Sequence, residues 1–304
     1  MSSPGVPESF TALLRGRPAE EGPTGDEWLA RLPGLLRECL AHWDLRPDGA
    51  ARHGVCALVL PVRGPTGAAA LKLTWPHPEA THEHLALRYW AGRGAVRLLA
   101  ADPPRWSLLL ERLDPDRDLS AEPIFDACET IGVLLAELDR PAPAQLERLS
   151  QHASRWAATL RSAPRVVPQR FLDRAAGLAG ELAADPRVDA RMVHTDLHFA
   201  NVLAGQRQPW LAIDPKPLAA EPAFAVAPAL WNRWAEAAAA GDTRGHLRRR
   251  LEIICETAGI DPDRAMAWTL VREAVNAVWA AARPDETTPG RIAAAVTIMK
   301  AVQP

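Results

Sequence analysis

Residues 191–216, RMVHTDLHFANVLAGQRQPWLAIDPK, are the stretch from which the rest of the chain is interpreted. Two short apolar runs, VL at 202–203 and WLAI at 210–213, flank a segment rich in turn-forming residues. Short apolar runs separated by such a segment are typical of a β-hairpin. Polar residues lie immediately before the first run and immediately after the second, so the hairpin should bring them to one side.

The polar residues follow the spacing H-x-D-x-x-x-x-N, with a further Asp after the second apolar run. This spacing is typical of the catalytic loop of phosphoryl-transfer enzymes. Phosphoryl transfer depends mainly on positioning and charge neutralisation, so Asp196 is predicted to be the catalytic base that acts on a substrate hydroxyl. Asn201 and Asp214 carry the hard oxygen atoms that Mg²⁺ prefers. Pro215 predicts an extended backbone at Asp214.

A second hypothesis concerns the two histidines of HTDLH. His194 and His198, with Asp196, could form the metal cluster of a hydrolase. An i,i+4 pair of histidines binds metal well on a helix, whereas this stretch lies beside a predicted hairpin. We therefore favour the interpretation that both rings brace the loop through hydrogen bonds to the backbone.

Composition excludes several classes of protein. The 304 residues are 48% apolar and 24% charged, and 35 Lys and Arg residues nearly balance 37 Asp and Glu residues. This balance predicts neither nucleic-acid nor membrane partners, and no apolar run is long enough to span a bilayer. The four cysteines are isolated from one another, which argues against zinc or redox motifs and favours a cytoplasmic location.

The pattern of strands and helices predicts an α+β fold of two lobes. Residues 1–25 are rich in Gly, Pro and Glu and are predicted to form a loosely held arm. Residues 26–112 begin with a helix capped by Asp26 and continue as a β-rich N-lobe. Residues 113–304 form a mainly helical C-lobe that contains the catalytic hairpin and the acceptor site.

Lys72 is a lone cation in an apolar strand of the N-lobe. A kinase needs a strand lysine for the nucleotide phosphates, held by a glutamate on a helix. Glu83 follows eleven residues later in a predicted helix, and Glu79 is the rival partner. A solvated Lys72 remains the alternative.

The segment LLLERL at 108–113 is predicted to join the two lobes. An apolar strand that becomes polar at this point could offer backbone N–H and C=O groups to an adenine edge, and Leu110, Glu111 and Leu113 are the candidates. Elsewhere, Arg250 in the RRR run and the acidic helix residue Glu273 are predicted to be solvated, and binding of a cationic substrate is the alternative for Glu273.

The chain resembles the aminoglycoside phosphotransferase superfamily, and more closely its streptomycin 6-kinase/hydroxyurea phosphotransferase branch. The resemblance covers roughly residues 28–299 and rests on the stretches HTDLHFANVL, LAIDPKPL, AALKLTWPHPEA and LLLERL. It implies a protein-kinase-like fold, ATP and Mg²⁺, and transfer of the γ-phosphate to a hydroxyl of a small molecule. An antibiotic is the expected acceptor, with an aminoglycoside such as streptomycin first.

The resemblance also assigns roles by position. It makes Asp196 the catalytic base, Asn201 and Asp214 the Mg²⁺ ligands, Lys72 the phosphate-binding lysine and Glu83 its partner. The identity of the acceptor, the choice between ATP and GTP, and the oligomeric state, monomer or dimer, stay open.

Two positions depart from the family pattern. Thr195 stands where the branch usually has Gly or Trp. Ala225 lies near a position that usually carries an acidic residue bracing the catalytic loop. These departures support a third hypothesis, a nucleotide-binding pseudokinase or regulator.

Overall fold

The structure is a computed structural model that describes residues 5–303. The first four residues of the predicted arm and the last residue of the predicted C-lobe lie outside this range. The chain divides into two compact units: unit 1 contains residues up to 115 together with 205–209, and unit 2 contains 116–204 and 210 onwards. The predicted boundary after residue 112 places 205–209 in the C-lobe, whereas these residues belong to unit 1.

Unit 1 is built on an antiparallel sheet with strand order β1-β3-β4-β6-β5, and β2 also pairs with β3. Burial alternates along most of residues 57–64, whereas residues 71–74 and 107–110 of the next two strands in this order are buried without alternation, so both faces of the sheet are covered there. The strands are β1 (Arg46–Pro47), β2 (Arg52–His53), β3 (Ala57–Gly64), β4 (Gly67–Thr74), β5 (Leu98–Asp102) and β6 (Ser107–Glu111). The helices are α1 (Glu8–Leu14), α2 (Gly25–His42) and α3 (Glu83–Trp90).

The predicted arm contains a packed helix. Phe10 and Leu14 of α1 are fully buried and join the core formed by α2 and the sheet. The Phe10 ring meets the Trp28 ring edge-on, with centroids 6.0 Å apart. The prediction of a loose arm is therefore wrong for residues 8–14, because its two large apolar side chains bury enough surface to order the helix.

Helix α2 is continuous through Pro33. Its N-cap is Thr24 rather than the predicted Asp26. The Thr24 side chain accepts from the Glu27 N–H, and the Glu27 carboxylate accepts from the Thr24 N–H. This capping box satisfies helix N–H groups that would otherwise lack a partner.

Unit 2 is mainly helical, with two small three-stranded sheets of orders β11-β10-β7 and β12-β9-β8. β7 (Asp114–Asp118) runs across the boundary of the units. The other strands are β8 (Arg140–Pro141), β9 (Arg191–His194), β10 (Val202–Ala204), β11 (Trp210–Ala212) and β12 (Pro217–Ala220). The helices are α4 (Ile124–Leu138), α5 (Leu149–Ser162), α6 (Gln169–Ala183), α7 (Pro228–Trp231), α8 (Trp234–Ala239), α9 (Thr243–Ala258), α10 (Pro262–Ala282) and α11 (Thr288–Ala301). Among the described residues, no helix has the length and apolar character needed to cross a lipid bilayer.

Two charged residues that the sequence placed in solvent are buried in unit 2. The Arg250 guanidinium donates to the backbone carbonyls of Asn232 and Arg233, where the chain breaks from α7 to α8. Burial also raises the pKa of the Glu273 carboxyl to about 7. The prediction of solvation is wrong for both, because it considered each helix without the segments packed on it.

The turn 205–209 is held by contacts within unit 1. Both carboxylate oxygens of Glu111 accept from the Arg207 guanidinium, which also donates to the Ala95 carbonyl at 2.6 Å. The Gly94 N–H donates to the Gln208 side chain. A planar guanidinium binds a carboxylate through two parallel bonds, so Arg207 fixes the conformation of this turn.

The packing of α1 predicts a measurable contribution to stability. Phe10→Ala should lower the free energy of unfolding by about 3–5 kcal/mol, because it removes a buried ring and leaves a cavity. Leu13→Ala on the same helix is the matched control, since Leu13 is exposed, and it should change stability by less than about 1 kcal/mol. Urea unfolding of the two variants measures the difference. Equal effects would mean that α1 is not part of the core.

Candidate functional site

The catalytic loop begins where β9 ends. Strand β9 pairs antiparallel with β12, and His194 lies opposite Pro217. A single 3-10 turn, Phe199–Asn201, leads into the hairpin of β10 and β11, where Val202 pairs with Ala212. The hairpin predicted from the two apolar runs is thus confirmed, and β12 returns the chain beside the start of the loop.

Asn201 connects the loop to the hairpin. Its side-chain amide N–H donates to the Asp196 carbonyl at 2.9 Å, and its own carbonyl accepts from the Ile213 N–H at 2.9 Å. The first bond holds the amide nitrogen, so the Asn201 Oδ1 is the atom that remains for a metal ion. The second bond places Asn201 beside the residue that precedes Asp214.

Asp214 lies in the left-handed backbone region, with φ +54°. The expectation of an extended backbone before Pro215 is wrong. The chain is fixed on both sides, because the Ile213 N–H donates to Asn201 and the Lys216 carbonyl accepts from Thr195, so Asp214 must make the turn. Aspartate tolerates this conformation better than most residues, and backbone strain of this kind concentrates at functional sites.

The Asp196 side chain is about one-fifth exposed and lies beside two basic groups. The Lys216 Nζ is 2.9 Å from the Asp196 Oδ2, and the His198 Nε2 is 3.9 Å from the Oδ1. The carboxylate is therefore partly accessible, and its Oδ2 contacts a lysine. Sequence reasoning missed Lys216, although it stands two residues after a predicted metal ligand.

His194 braces the loop, as the favoured interpretation proposed. Its Nδ1 accepts from the Asp196 N–H at 3.2 Å, and its Nε2 lies 3.0 Å from the Ile213 carbonyl, to which it must donate. These partners assign the neutral tautomer with the proton on Nε2. Burial lowers the pKa of the ring to about 4. Both nitrogens serve the backbone, and this use disfavours metal ligation by His194.

His198 differs from the prediction of a second backbone brace. Its buried Nδ1 has no hydrogen-bond partner among residues 5–303. Burial lowers the pKa of this ring. Within the same residues, no group of three His, Cys, Asp or Glu side chains is arranged to hold a metal ion.

Thr195 ties the start of the loop to its end. Its backbone N–H and its hydroxyl both donate to the Lys216 carbonyl, at 3.1 and 2.9 Å. The Arg272 guanidinium of α10 donates to the Thr195 and Phe224 carbonyls, at 2.9 and 3.1 Å. Thr195, which departs from the family pattern, therefore links the two ends of the loop by hydrogen bonds. Arg272, which sequence reasoning also missed, braces the loop next to Ala225.

Unit 1 contains the predicted lysine–glutamate pair. The Lys72 Nζ on β4 lies 2.7 Å from both carboxylate oxygens of Glu83 on α3, and both side chains are buried. Desolvating two charges is costly and is only partly repaid by their attraction. Such a pair is more readily explained by a need for a fixed ammonium group than by stability.

Leu110 and Glu111, which belong to the segment predicted to contact adenine, take part in strand pairing and hydrogen bonds within unit 1. Leu110 pairs with Ala70 on one side and with Leu98 on the other. The Glu111 N–H donates to the Arg97 carbonyl, and its carboxylate holds Arg207. The role of Leu110, Glu111 and Leu113 toward a base stays a prediction.

The fold and the site together define a protein-kinase-like phosphotransferase: an antiparallel sheet with a buried lysine–glutamate pair, and a helical unit with the Asp-Asn-Asp loop. A family model described as "aminoglycoside/hydroxyurea antibiotic resistance kinase" matches residues 42–283. The chain belongs to this family, and it is a small-molecule kinase.

Two relatives of known activity match over most of the chain. A streptomycin 6-kinase of Streptomyces glaucescens is 41% identical over 286 residues, which cover 90% of each protein. A hydroxyurea phosphotransferase of Kitasatospora aureofaciens is 42% identical over 287 residues, 91% of this chain and 82% of that protein.

Solved structures show the same fold at low identity. The aminoglycoside phosphotransferase APH(4)-Ia is similar with a TM-score of 0.61 and 12% identity, over 90% of this chain and 100% of that one. A choline/ethanolamine kinase family protein from Mesorhizobium loti is similar with a TM-score of 0.57 and 16% identity, over 88% and 99%. The shared fold is therefore common to kinases with unlike acceptors.

The role of the Thr195 hydroxyl can be measured. Thr195→Val should lower the free energy of unfolding by about 1–3 kcal/mol, since the Lys216 carbonyl loses a donor and the isosteric methyl cannot replace it. Thr195→Ser keeps the hydroxyl and should lose less than half as much. Chemical unfolding of the two variants compares them, and equal losses would assign the effect to packing alone.

Burial of His194 predicts a dependence of stability on pH. The folded-state pKa of about 4 lies below the unfolded value of 6.5, so the unfolded chain binds more protons in this interval. Stability contributed by neutral His194 is fully present above pH 6.5 and is lost as the pH falls toward 4. His194→Asn should be less stable at pH 7 but should lose less stability over this interval. Thermal unfolding between pH 4 and 7 tests this, and parallel curves would contradict it.

Proposed function

We propose that this kinase transfers the γ-phosphate of ATP, with Mg²⁺, to a hydroxyl of an antibiotic, and that streptomycin is the first acceptor to test. The observation that carries the proposal is the convergence of Asp196, Asn201 and Asp214 at one hairpin, with bonds that fix the loop on both sides. A pre-organised set of a base and metal ligands is what phosphoryl transfer requires of a protein.

The residues present fit Mg²⁺ and a nucleotide. Asn201 and Asp214 offer a carboxamide and a carboxylate oxygen, and Mg²⁺ needs only a few protein oxygens because it keeps several waters. When bound there, Mg²⁺ would neutralise charge on the phosphates. In unit 1, Lys72 presents a buried ammonium held by Glu83, and we propose that it binds the α- and β-phosphates. The backbone of Leu110, Glu111 and Leu113 is proposed to meet the adenine edge.

Asp196 is proposed to act on the acceptor hydroxyl. Its Oδ1 accepts the hydroxyl proton as the hydroxyl oxygen forms a bond to the γ-phosphorus. The bond from that phosphorus to the bridging oxygen breaks, and its electron pair leaves with ADP. The Asn201 amide fixes the Asp196 carbonyl, and His194 holds the Asp196 N–H, so the carboxylate is oriented by two bonds to its own backbone.

The acceptor is inferred from the relatives. The two relatives described above are named for streptomycin and hydroxyurea, and both of these molecules carry a hydroxyl group. We propose streptomycin because two relatives, the second from Streptomyces griseus at 40% identity, are named streptomycin 6-kinases. Hydroxyurea is the second acceptor to test. A cytoplasmic location is proposed because ATP is available there and the four cysteines are free thiols.

The proposal predicts that Asp196→Asn abolishes turnover while nucleotide binding survives. The loss should fall on kcat, by about 10²–10⁴-fold, because the amide cannot take the proton. Asp173→Asn on the exposed face of α6 is the matched control and should leave kcat unchanged. Coupled-enzyme measurement of ADP release with streptomycin and with hydroxyurea checks the result.

Two outcomes would contradict the proposal. Equal turnover in the Asp196 variant and the control would remove Asp196 from its assigned role. Tight binding of Mg-ATP by the wild-type protein, without phosphate transfer to either acceptor or to a wider panel of hydroxyl antibiotics, would favour the pseudokinase hypothesis.

A further inference from the structure

Arg233 contacts the short turn of the catalytic loop that contains Asn201. Its guanidinium carbon lies 5.4 Å from the centroid of the Phe199 ring, and Phe199 begins the 3-10 turn Phe199–Asn201. The ring is fully buried, and the Arg233 side chain is only 12% exposed. A guanidinium over an aromatic face is attracted by the ring, most strongly when both groups are removed from water. The contact therefore fixes the first residue of this turn.

The same guanidinium joins this turn to a second one. Its Nη1 donates to the Glu122 carbonyl at 2.8 Å, and Glu122 ends the 3-10 turn Leu119–Ala121. Residues 119–121 lie against residues 199–201. The Arg233 Nε and Nη2 donate to the two carboxylate oxygens of Glu236, at 2.6 and 2.8 Å. A ring, a carbonyl and a carboxylate thus hold one planar group in a single orientation.

The backbone at Arg233 is strained and supported from below by a second arginine. Its φ is +53°, in the left-handed region that costs energy for a residue with a side chain. The fully buried Arg250 guanidinium donates to the carbonyls of Asn232 and Arg233, at 3.0 and 3.2 Å. The conformation that directs the Arg233 side chain is therefore maintained by contacts within unit 2.

An ion pair alone does not explain this arrangement. Arg249 and Glu252 of α9 have the same spacing as Arg233 and Glu236, but both of their side chains are exposed and neither residue is left-handed. An exposed pair of this kind adds little to stability, and strain in the left-handed region exceeds that gain. The strained backbone and its buried support are better explained by the position that they give the guanidinium on Phe199.

The turn that Arg233 contacts determines where the Asn201 side chain lies. The Asn201 N–H donates to the His198 carbonyl at 2.9 Å, and the Val202 N–H donates to the Phe199 carbonyl. Phe199 and Asn201 thus belong to one hydrogen-bonded turn, so a displaced Phe199 moves Asn201 with it. Asn201 is the residue whose Oδ1 is proposed to bind Mg²⁺.

We propose that Arg233 is a positioning residue for the metal ligand Asn201 and that it acts through the Phe199 ring. The inference rests on the proposed function. Arg233 keeps the turn Phe199–Asn201 in one conformation, and with it the position of the Asn201 amide. Removal of groups that orient a metal ligand typically lowers metal affinity or activity by about 10- to 100-fold.

Hydrogen exchange of the metal-free protein measures the turn directly. Arg233→Met keeps a long side chain but removes the guanidinium, so peptides that cover residues 196–203 should exchange roughly tenfold faster, the size of a desolvated cation–π contact. Arg264→Met is the matched control, because Arg264 also binds a carboxylate, that of Glu221, through two nitrogens. The control should leave exchange in residues 196–203 unchanged.

The Mg²⁺ requirement of phosphate transfer gives an independent measurement. At a fixed ATP concentration, Arg233→Met should raise the Mg²⁺ concentration for half-maximal ADP release by about tenfold. Partial unfolding lowers the amount of active enzyme without changing this concentration, and Arg264→Met should keep the wild-type value. Glu236→Ala removes one exposed partner of Arg233 and should shift the value in the same direction by less. It serves as the test if thermal unfolding shows that Arg233→Met does not fold.

A double-mutant cycle separates action through Asn201 from a general effect. In an Asn201→Ala background the ligand is already absent, so adding Arg233→Met should leave the Mg²⁺ requirement where Asn201→Ala alone puts it. A further rise as large as that seen in the wild-type background would overturn the inference. Wild-type exchange in residues 196–203 together with a wild-type Mg²⁺ requirement in Arg233→Met would overturn it as well.

Failure of the proposed function has a separate signature. A wild-type protein without Mg²⁺-dependent transfer to any acceptor would refute the proposed function and, with it, the role of Arg233 toward a metal ligand. A wild-type protein that transfers phosphate, beside an Arg233→Met variant with an unaltered Mg²⁺ requirement, would refute the role of Arg233 alone.

Discussion

The two hydrogen bonds from Thr195 to the Lys216 carbonyl are the constraint on which the site depends. They close residues 195–216 into a loop whose ends cannot separate. Asp196 follows one end and Asp214 precedes the other by two residues, so closure of the loop brings the proposed base and metal ligand into one region. Because the backbone is fixed on both sides, Asp214 keeps a left-handed conformation that a free chain would leave.

Each unit buries polar groups at a cost in stability. Lys72 and Glu83 are both removed from solvent. Burial lowers the pKa of His194 to about 4, so its ring is neutral near pH 7. Burial of a charged pair seldom adds to stability, and each of these groups is instead fixed in one orientation by its partners. Arg272 acts in the same way, since its guanidinium holds the Thr195 carbonyl from α10. Contacts within the protein thus fix the orientation of these groups.

Local sequence patterns were sufficient for much of the fold. The hairpin of β10 and β11 followed from two apolar runs and a turn, because apolar patterning and turn chemistry are properties of neighbouring residues. The same reasoning failed for α1, whose order comes from packing on α2, and for Arg250, which the sequence placed in solvent. The buried Arg250 guanidinium binds the backbone carbonyls of Asn232 and Arg233, between α7 and α8.

The sequence by itself determined the class of reaction and the base, metal-ligand and lysine candidates, since spacing along the chain is what defines the catalytic loop. Only the tertiary structure decided which partners these residues have. Glu83 was already the expected partner of Lys72, but Lys216 on Asp196 and Arg272 on Thr195 were not expected, and these are contacts over 20 and 77 positions of the chain. Contacts of this length depend on how strands and helices pack, and the spacing of residues in sequence carries no information about that packing.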